Sequence, residues 1–259
     1  MSSPLYLVRL SLDARNLYAF AHRSRAAGRN FDEGYAVHAL LAALFDHGAS
    51  QDPRVAPKPF HIHESAPRTL DVMGYAGLDH LALADRARTF ADLDAWGVCD
   101  IDRMASRPMP SVFETGRRLG FSTRACPVRR IARCGPMTRD RAEVDAFLAK
   151  SWEVGPNVPL DRSDVYCAWL RDEFAKEGAA ELVSVSVTNF RRGRLHRRTH
   201  GENRRGHATE RPDVTFEGTL VVRDTEAFAR RLARGIGRHR AFGFGMVLLK
   251  PAGTGSSRV

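Results

Sequence analysis

Tyr35 and His38 stand three residues apart in GYAVHALLAALF, and no other pair in the chain is better suited to moving a proton. An imidazole titrates near neutrality, so it can accept a proton and return it within one reaction. A phenol one helical turn away shares a neighbouring face and can hydrogen-bond the same reacting group. Cations to match such a pair occur in GIGRHRAFGFG, residues 235–245, which holds four glycines in eleven residues together with Arg238, His239 and Arg240. Glycines such as Gly235 and Gly237 let backbone N–H groups come close to a phosphate, and the arginines add charge there. The segment has no GK[ST], follows a helical pattern and opens a strand-like one, so neither a nucleoside triphosphate loop nor a dinucleotide fingerprint fits, and no cofactor is expected. On the residues alone, the favoured reading of His38 is a side chain filling space at a helix edge, and of Tyr35 a partly buried aromatic.

The elements that must hold these groups are legible by periodicity. Val37, Leu40, Leu41 and Leu44 recur at i, i+3, i+4 and i+7, which predicts a helix beginning near residues 31–33 with the Tyr-His pair beside its buried stripe. Residues 5–12 alternate like a half-buried strand, 15–30 read as a long arginine-bearing loop, and 57–75 read as two short strands. An amphipathic helix is expected over 79–95, and a strand with arginines at its exposed positions over 116–125. Residues 135–160, rich in Gly and Pro, suggest a short helix within an insertion. The second half predicts a helix over 163–176, strands at 181–190 and 214–222, a helix at 224–235 with an Asp cap and a Gly stop, and a strand at 242–249 carrying Phe242 and Phe244 towards a core. Strand, helix, strand pair, helix, strand is a ferredoxin-like (RRM-like) order. The expected class is therefore α+β, two such domains in tandem with helical insertions, one spanning 1–126 and the other 127–259.

Charge narrows the partners. The 40 basic residues exceed the 30 acidic ones for a net +10, and only Lys58, Lys150, Lys176 and Lys250 are lysine, leaving 36 arginines. A polyanion partner follows, and the planar guanidinium fork suits phosphates and bases. The density peaks in RRGRLHRRTHGENRRGHATER, residues 191–211, with eight arginines and three histidines against two glutamates. Flanked by strands, this segment should project as a hairpin or loop able to enter an RNA groove or follow a phosphate backbone. Nucleic-acid contacts are expected from Arg191, Arg192, Arg194, Arg197, Arg198, Arg204 and Arg205, from Arg25 and Arg29, and from the glycine-rich loop. The four cysteines lack metal-ligand spacing, and His61 and His63 have no completing carboxylate or thiol, so no metal is expected. No stretch approaches the roughly 20 apolar residues of a membrane span, and the N-terminus lacks the layout of a signal peptide, which points to the cytoplasm.

With these segments in view, the chain resembles the CRISPR repeat-processing endoribonucleases of the repeat-associated mysterious protein superfamily, in the branch that cuts stem-loop repeats. FEGTLVVRDTEAFARRLARGIGRHRAFGFGMVLL, 216–249, is similar to that branch's closing strand, helix, glycine-rich loop and strand. GYAVHALLAALF, 34–45, is similar to the family's first helix, whose Tyr-x-x-His pair falls on Tyr35 and His38. The arginine-based chain with extra helical material also resembles plasmid-borne type IV relatives. The resemblance implies metal-independent cutting of CRISPR repeat RNA at the base of its stem-loop by the RNA's own 2′-OH, leaving a 2′,3′-cyclic phosphate and a 5′-OH. It also implies that the product stays bound, making the chain a partner of the other subunits of an RNA-guided effector complex. His38 would transfer protons, Tyr35 would hydrogen-bond the nucleophile or phosphate, and Arg23, Arg238 and Arg240 would stabilise the transition state. Two rivals share the charge: an RNA-binding subunit without activity, and a nuclease relying on arginines in place of histidine.

Overall fold

Alternation along YLVRLSLD makes β1 (Tyr6–Asp13), with Val8, Leu10 and Leu12 buried and Asp13 turning the chain into α1 (Ala14–Arg23) by accepting from the Asn16 N–H at 2.7 Å. The expected loop is thus largely a helix, because Leu17, Phe20 and Ala21 form a narrow buried stripe among polar neighbours. This computed structural model describes residues 4–24, 31–46, 55–131, 142–198 and 206–252. Next come α2 (Glu33–Phe45), β2 (Phe60–Ala66), β3 (Thr69–Ala76), α3 (His80–Phe90), α4 (Leu93–Trp96) and β4 (Ala105–Pro108). The first sheet has the order β2-β3-β1-β4 with every pairing antiparallel. Val37, Leu40, Leu41 and Leu44 of α2 are completely buried, each contributing up to about 1.5–3 kcal/mol.

The second sheet repeats the plan. Its strands are β5 (Arg118–Ala125), β8 (Ala180–Arg198), β9 (Gly206–Val222) and β10 (Val247–Pro251), in the order β10-β5-β9-β8. Between β5 and β8 lie β6 (Val128–Arg130) and β7 (Glu143–Asp145), which pair with each other, then α5 (Ala146–Val154) and α6 (Arg162–Ala175); α7 (Thr225–Arg234) precedes β10. Both sheets place the first strand between the third and fourth, the ferredoxin-like arrangement twice over. The expected division at residue 126 is displaced. It assigns β5 to the first unit, whereas β5 pairs with β9 and β10, so by strand pairing the second unit begins before Arg118. The basic segment is a two-stranded ribbon, since β8 continues to Arg198 and β9 begins at Gly206. The expected strand at 242–249 starts only at Val247, because Gly243 and Gly245 take φ of 82° and 76°, which no sheet accommodates. No helix among the described residues is long and apolar enough to cross a membrane.

Two separate cores, one per sheet, meet through few but well-defined contacts. The Tyr75 hydroxyl, buried in β3, donates to the Val247 carbonyl of β10 at 2.8 Å. The glycine-rich loop then folds back on itself, with Ile236 N–H donating to the Gly245 carbonyl at 2.8 Å and Gly245 N–H to the Arg124 carbonyl at 2.6 Å. A 3-10 turn, Arg240–Phe242, presses its carbonyl end onto the start of α2. A Cβ at Gly34 would stand 2.3 Å from the Phe242 carbonyl oxygen, so only glycine lets helix and loop touch. Gly34→Ala is therefore expected to cost about 1–3 kcal/mol of unfolding free energy, read from urea denaturation, by levering the loop off α2; an unchanged midpoint would remove this contact from the account of how the halves join.

Candidate active site and nucleic-acid interface

Asp32 starts α2 by accepting from the Tyr35 N–H at 3.0 Å, which fixes Tyr35 and, one turn on, His38. Both side chains are half-buried. The Tyr35 ring stacks on Phe242 with centroids 5.9 Å apart and planes 10° apart, and the His38 ring lies 4.8 Å from Phe242 and 6.3 Å from Tyr35. The imidazole Nδ1 is buried. Phe242, expected in a strand, is instead the ring on which the Tyr-His pair rests, and it comes from the other half of the molecule. Phe244 is buried as expected, although in the loop, with the Arg124 guanidinium 4.6 Å over its ring.

Beyond Phe242 opens a cleft of about 640 Å³ lined by Lys58, Arg234, Arg238, His239 and Arg240. Arg240 donates to the Arg234 carbonyl at 2.8 Å. Burial, then the charges of Arg234 and Arg231, with Arg238 behind them, push the Arg240 pKa below its ordinary value against the pull of Glu173. Crowded like charges of this kind are relieved by an incoming anion. Lys58 escaped the sequence reading because one lysine in a Pro-rich stretch carries no pattern; Asp46 holds it at 2.8 Å. Arg23 sits at the end of α1, paired with Asp94 at 3.2 Å, and does not line this cleft.

The loop is held from outside by one carboxylate. Glu143 of β7 accepts from Arg238 through Oε1, faces His239 Nε2 at 3.0 Å through Oε2, and has Arg211 of β9 at 3.7 Å. Insertion, loop and ribbon thus converge on a side chain that is 14% exposed. The hydrogen bond with His239, with the charges of His239 and Arg238, overcomes burial and brings Glu143 to about 2. Gly235 and Gly237, with φ of 74° and 67°, and His239, with φ of 61°, shape the loop for this reach. Nothing in the aperiodic stretch around residue 143 signals the role.

At the root of the ribbon, Asp213 is 5% exposed and receives Arg124 in a bidentate pair at 2.7 and 2.8 Å and Arg191 at 2.6 Å. Burial raises its pKa, but the two guanidiniums outweigh it and the net shift is downward. Arg124 is not the exposed strand arginine that alternation suggests: its side chain is 19% exposed, because β5 is an interior strand. Arg192 and Arg194 follow on β8 with exposed side chains. Arg197 and Arg198 continue the strand opposite His207 and Gly206, their side chains outside the described part, and Arg25, Arg29, Arg204 and Arg205 lie outside the described residues. Among the described residues no three His, Cys, Asp or Glu side chains gather as a metal site would require.

Because the Glu143 carboxyl is depressed in the folded chain, its stabilisation is complete above its ordinary value of 4.5 and is lost as pH falls towards about 2. Glu143→Gln is expected to melt lower at pH 7 and to lose less stability than the parent between pH 4.5 and 2. Paired thermal melts check this, since Asp213 titrates in both proteins and cancels; parallel curves would show that Glu143 does not hold the loop.

The family described as CRISPR associated protein matches residues 5–251. No curated protein matches. Among solved structures, Thermus thermophilus Cse3 bound to an RNA representing a pre-cleavage complex is 20% identical, with 96% of this chain and 100% of that one covered and a TM-score of 0.57. The CRISPR-associated protein Cas6e from Escherichia coli K-12 is 19% identical, with coverages of 95% and 100% and a TM-score of 0.54. A chain of a CRISPR RNA-guided surveillance complex is 16% identical over 95% and 100%, with a TM-score of 0.50. At these identities the likeness is one of fold. With the family match running from the first strand to the last, the chain belongs to the CRISPR-associated protein family.

Proposed function

We propose that this chain is an endoribonuclease of the cytoplasm that binds the stem-loop of CRISPR repeat RNA, cuts once at its base, and stays on the product as a subunit of an RNA-guided effector complex. The observation that carries the reading is the placement of His38 and Tyr35 against Phe242, a residue that also lines an arginine-rich cleft, in a fold shared with RNA-bound Cse3. A proton-transfer group and a ready-made anion site within one seam are the two things phosphodiester transfer needs.

The 2′-oxygen of the nucleotide before the cut attacks its own phosphorus while the bond to the departing 5′-oxygen breaks. The products are a 2′,3′-cyclic phosphate and a 5′-OH, and neither metal nor external water enters the bond changes. His38, whose Nδ1 is buried, exchanges protons through Nε2, taking one from the 2′-OH and returning it to the leaving 5′-oxygen. Tyr35, locked by Asp32 and Phe242, hydrogen-bonds the nucleophile or a phosphoryl oxygen. Arg240, Arg238 and Lys58 meet the negative charge that grows on phosphorus. Arg191, Arg192 and Arg194 lead the ribbon along the stem, where guanidinium contacts to phosphate position the duplex.

The test is cleavage of hairpin repeat RNA in excess EDTA, beside the same RNA carrying one 2′-deoxy at the cut. Cutting should survive the chelator and stop at the 2′-deoxy. His38→Ala should slow single-turnover cleavage by about 10² to 10⁴ while leaving the Kd within about threefold. Arg240→Ala should slow it by about 10² to 10³. If His38→Ala cuts at the parent rate, the imidazole is structural and the arginines carry the reaction; tight, salt-sensitive binding without any cutting would make the chain a binding subunit.

A further inference from the structure

A second cavity, about 320 Å³, shares Phe242 with the cationic cleft and lies between the start of α2 and the root of the ribbon. Its walls differ in kind from those of the cleft. Asp32 and Glu33 at the start of α2, with Asp213, supply carboxylates; Arg124, Arg191, Arg192 and Arg194 supply guanidiniums; Phe242 and Phe244 supply ring surface. The hydrogen bonds of Arg124 and Arg191 go to Asp213, so the Glu33 carboxylate meets these guanidiniums only through space. A phosphate is a poor occupant of such a place, because a carboxylate within a few ångströms repels it. A nucleobase is a good one, because it presents donors and acceptors side by side on a flat apolar body.

The pattern selects among bases. A carboxylate accepts two parallel hydrogen bonds from guanine, through N1–H and the 2-amino group, while O6 and N7 of the same base suit arginine. Adenine and cytosine each offer a carboxylate one exocyclic amine, and uracil one ring N–H. Burial raises the Glu33 pKa, with Arg124 and Arg191 opposing and Glu64 and Asp32 adding to it. Phe242 also fixes the location, since the ring that walls this cavity packs on His38 at 4.8 Å.

We propose that this cavity takes an unpaired guanine base of a nucleotide next to the scissile phosphate, with Glu33 accepting from its Watson–Crick edge, so that the pocket sets the base at which the RNA is cut. The assignment rests on the ribonuclease reading above. It makes Glu33 a specificity-determining residue, distinct from the proton-transfer pair one turn further along the same helix.

The experiment uses the full chain and hairpin repeat RNAs with guanine, inosine or adenine at the nucleotide on each side of the cut, reading both the single-turnover rate and the Kd. Inosine lacks only the 2-amino group. At one of the two positions, guanine to inosine should slow the parent protein or weaken its binding about tenfold, and adenine more. In Glu33→Gln the guanine substrate should fall by a similar factor, and the guanine-to-inosine ratio should shrink to within about twofold. Equal handling of all three bases at both positions by the parent protein overturns the proposal, and needs no variant. So does a Glu33→Gln protein that keeps the parent's guanine-to-inosine ratio. A parent protein that cuts none of these RNAs sinks the nuclease reading instead, and the Kd ratios then decide the pocket alone.

Discussion

The close approach of the Phe242 turn to α2 is the contact on which the rest depends. Each half of the chain closes its own core, and Leu5 and Met109, just outside β1 and β4, pack against the second one. What fixes the relation of the halves beyond that packing is a backbone-on-backbone meeting at Gly34, three aromatic rings packed behind it, and the buried Tyr75 hydrogen bond. The consequence is chemical as well as architectural. A histidine and a tyrosine on one unit pack on a phenylalanine of the other, so the arrangement of Tyr35, His38 and Phe242 exists only in the assembled chain.

Around that seam, positive charge is gathered and then disciplined by few carboxylates. Arginines 231, 234, 238 and 240 repel one another across the cleft, and the loop that bears two of them would swing outward if charge alone decided. Glu143 holds it in from one side, and Asp213 plays the same part at the ribbon's root. Both carboxylates are nearly buried and meet more than one cation, which is where an ion pair outweighs its desolvation. The exposed pairs on α3 and α7 contribute little by comparison.

Much of this was legible in the residues, and the part that was not has a common cause. Strong periodicity revealed α2, α6, α7 and the strands β1, β2, β3, β5 and the inner parts of β8 and β9, and with them the ferredoxin-like order of the second half, whereas β4, β6 and β7 are only three or four residues long and leave no alternation to read. The α1 helix was hidden because its apolar stripe is three residues wide within an arginine-rich run. The division at residue 126 went astray because β5 alternates like any strand, and nothing in its own sequence says which sheet it joins. Tyr35, His38 and the glycine-rich loop stood out by residue type and spacing. Phe242, Glu143, Asp213 and Lys58 did not, since each acts through partners tens of residues or more away in the chain, and one sequence records no such pairings.

The ribbon shows what this division of labour permits. Its root is tied to the core through Asp213, Val214 and Phe216, and two bulges in β8, between Leu182 and Ser184 and between Val187 and Asn189, set its twist before it leaves the body. Beyond Leu195 the two strands continue to pair, Arg197 opposite His207 and Arg198 opposite Gly206. Any load on that outer pairing is carried back to Asp213 and through it to Arg124 of the interior strand β5, which makes the ribbon a lever on the sheet beneath it.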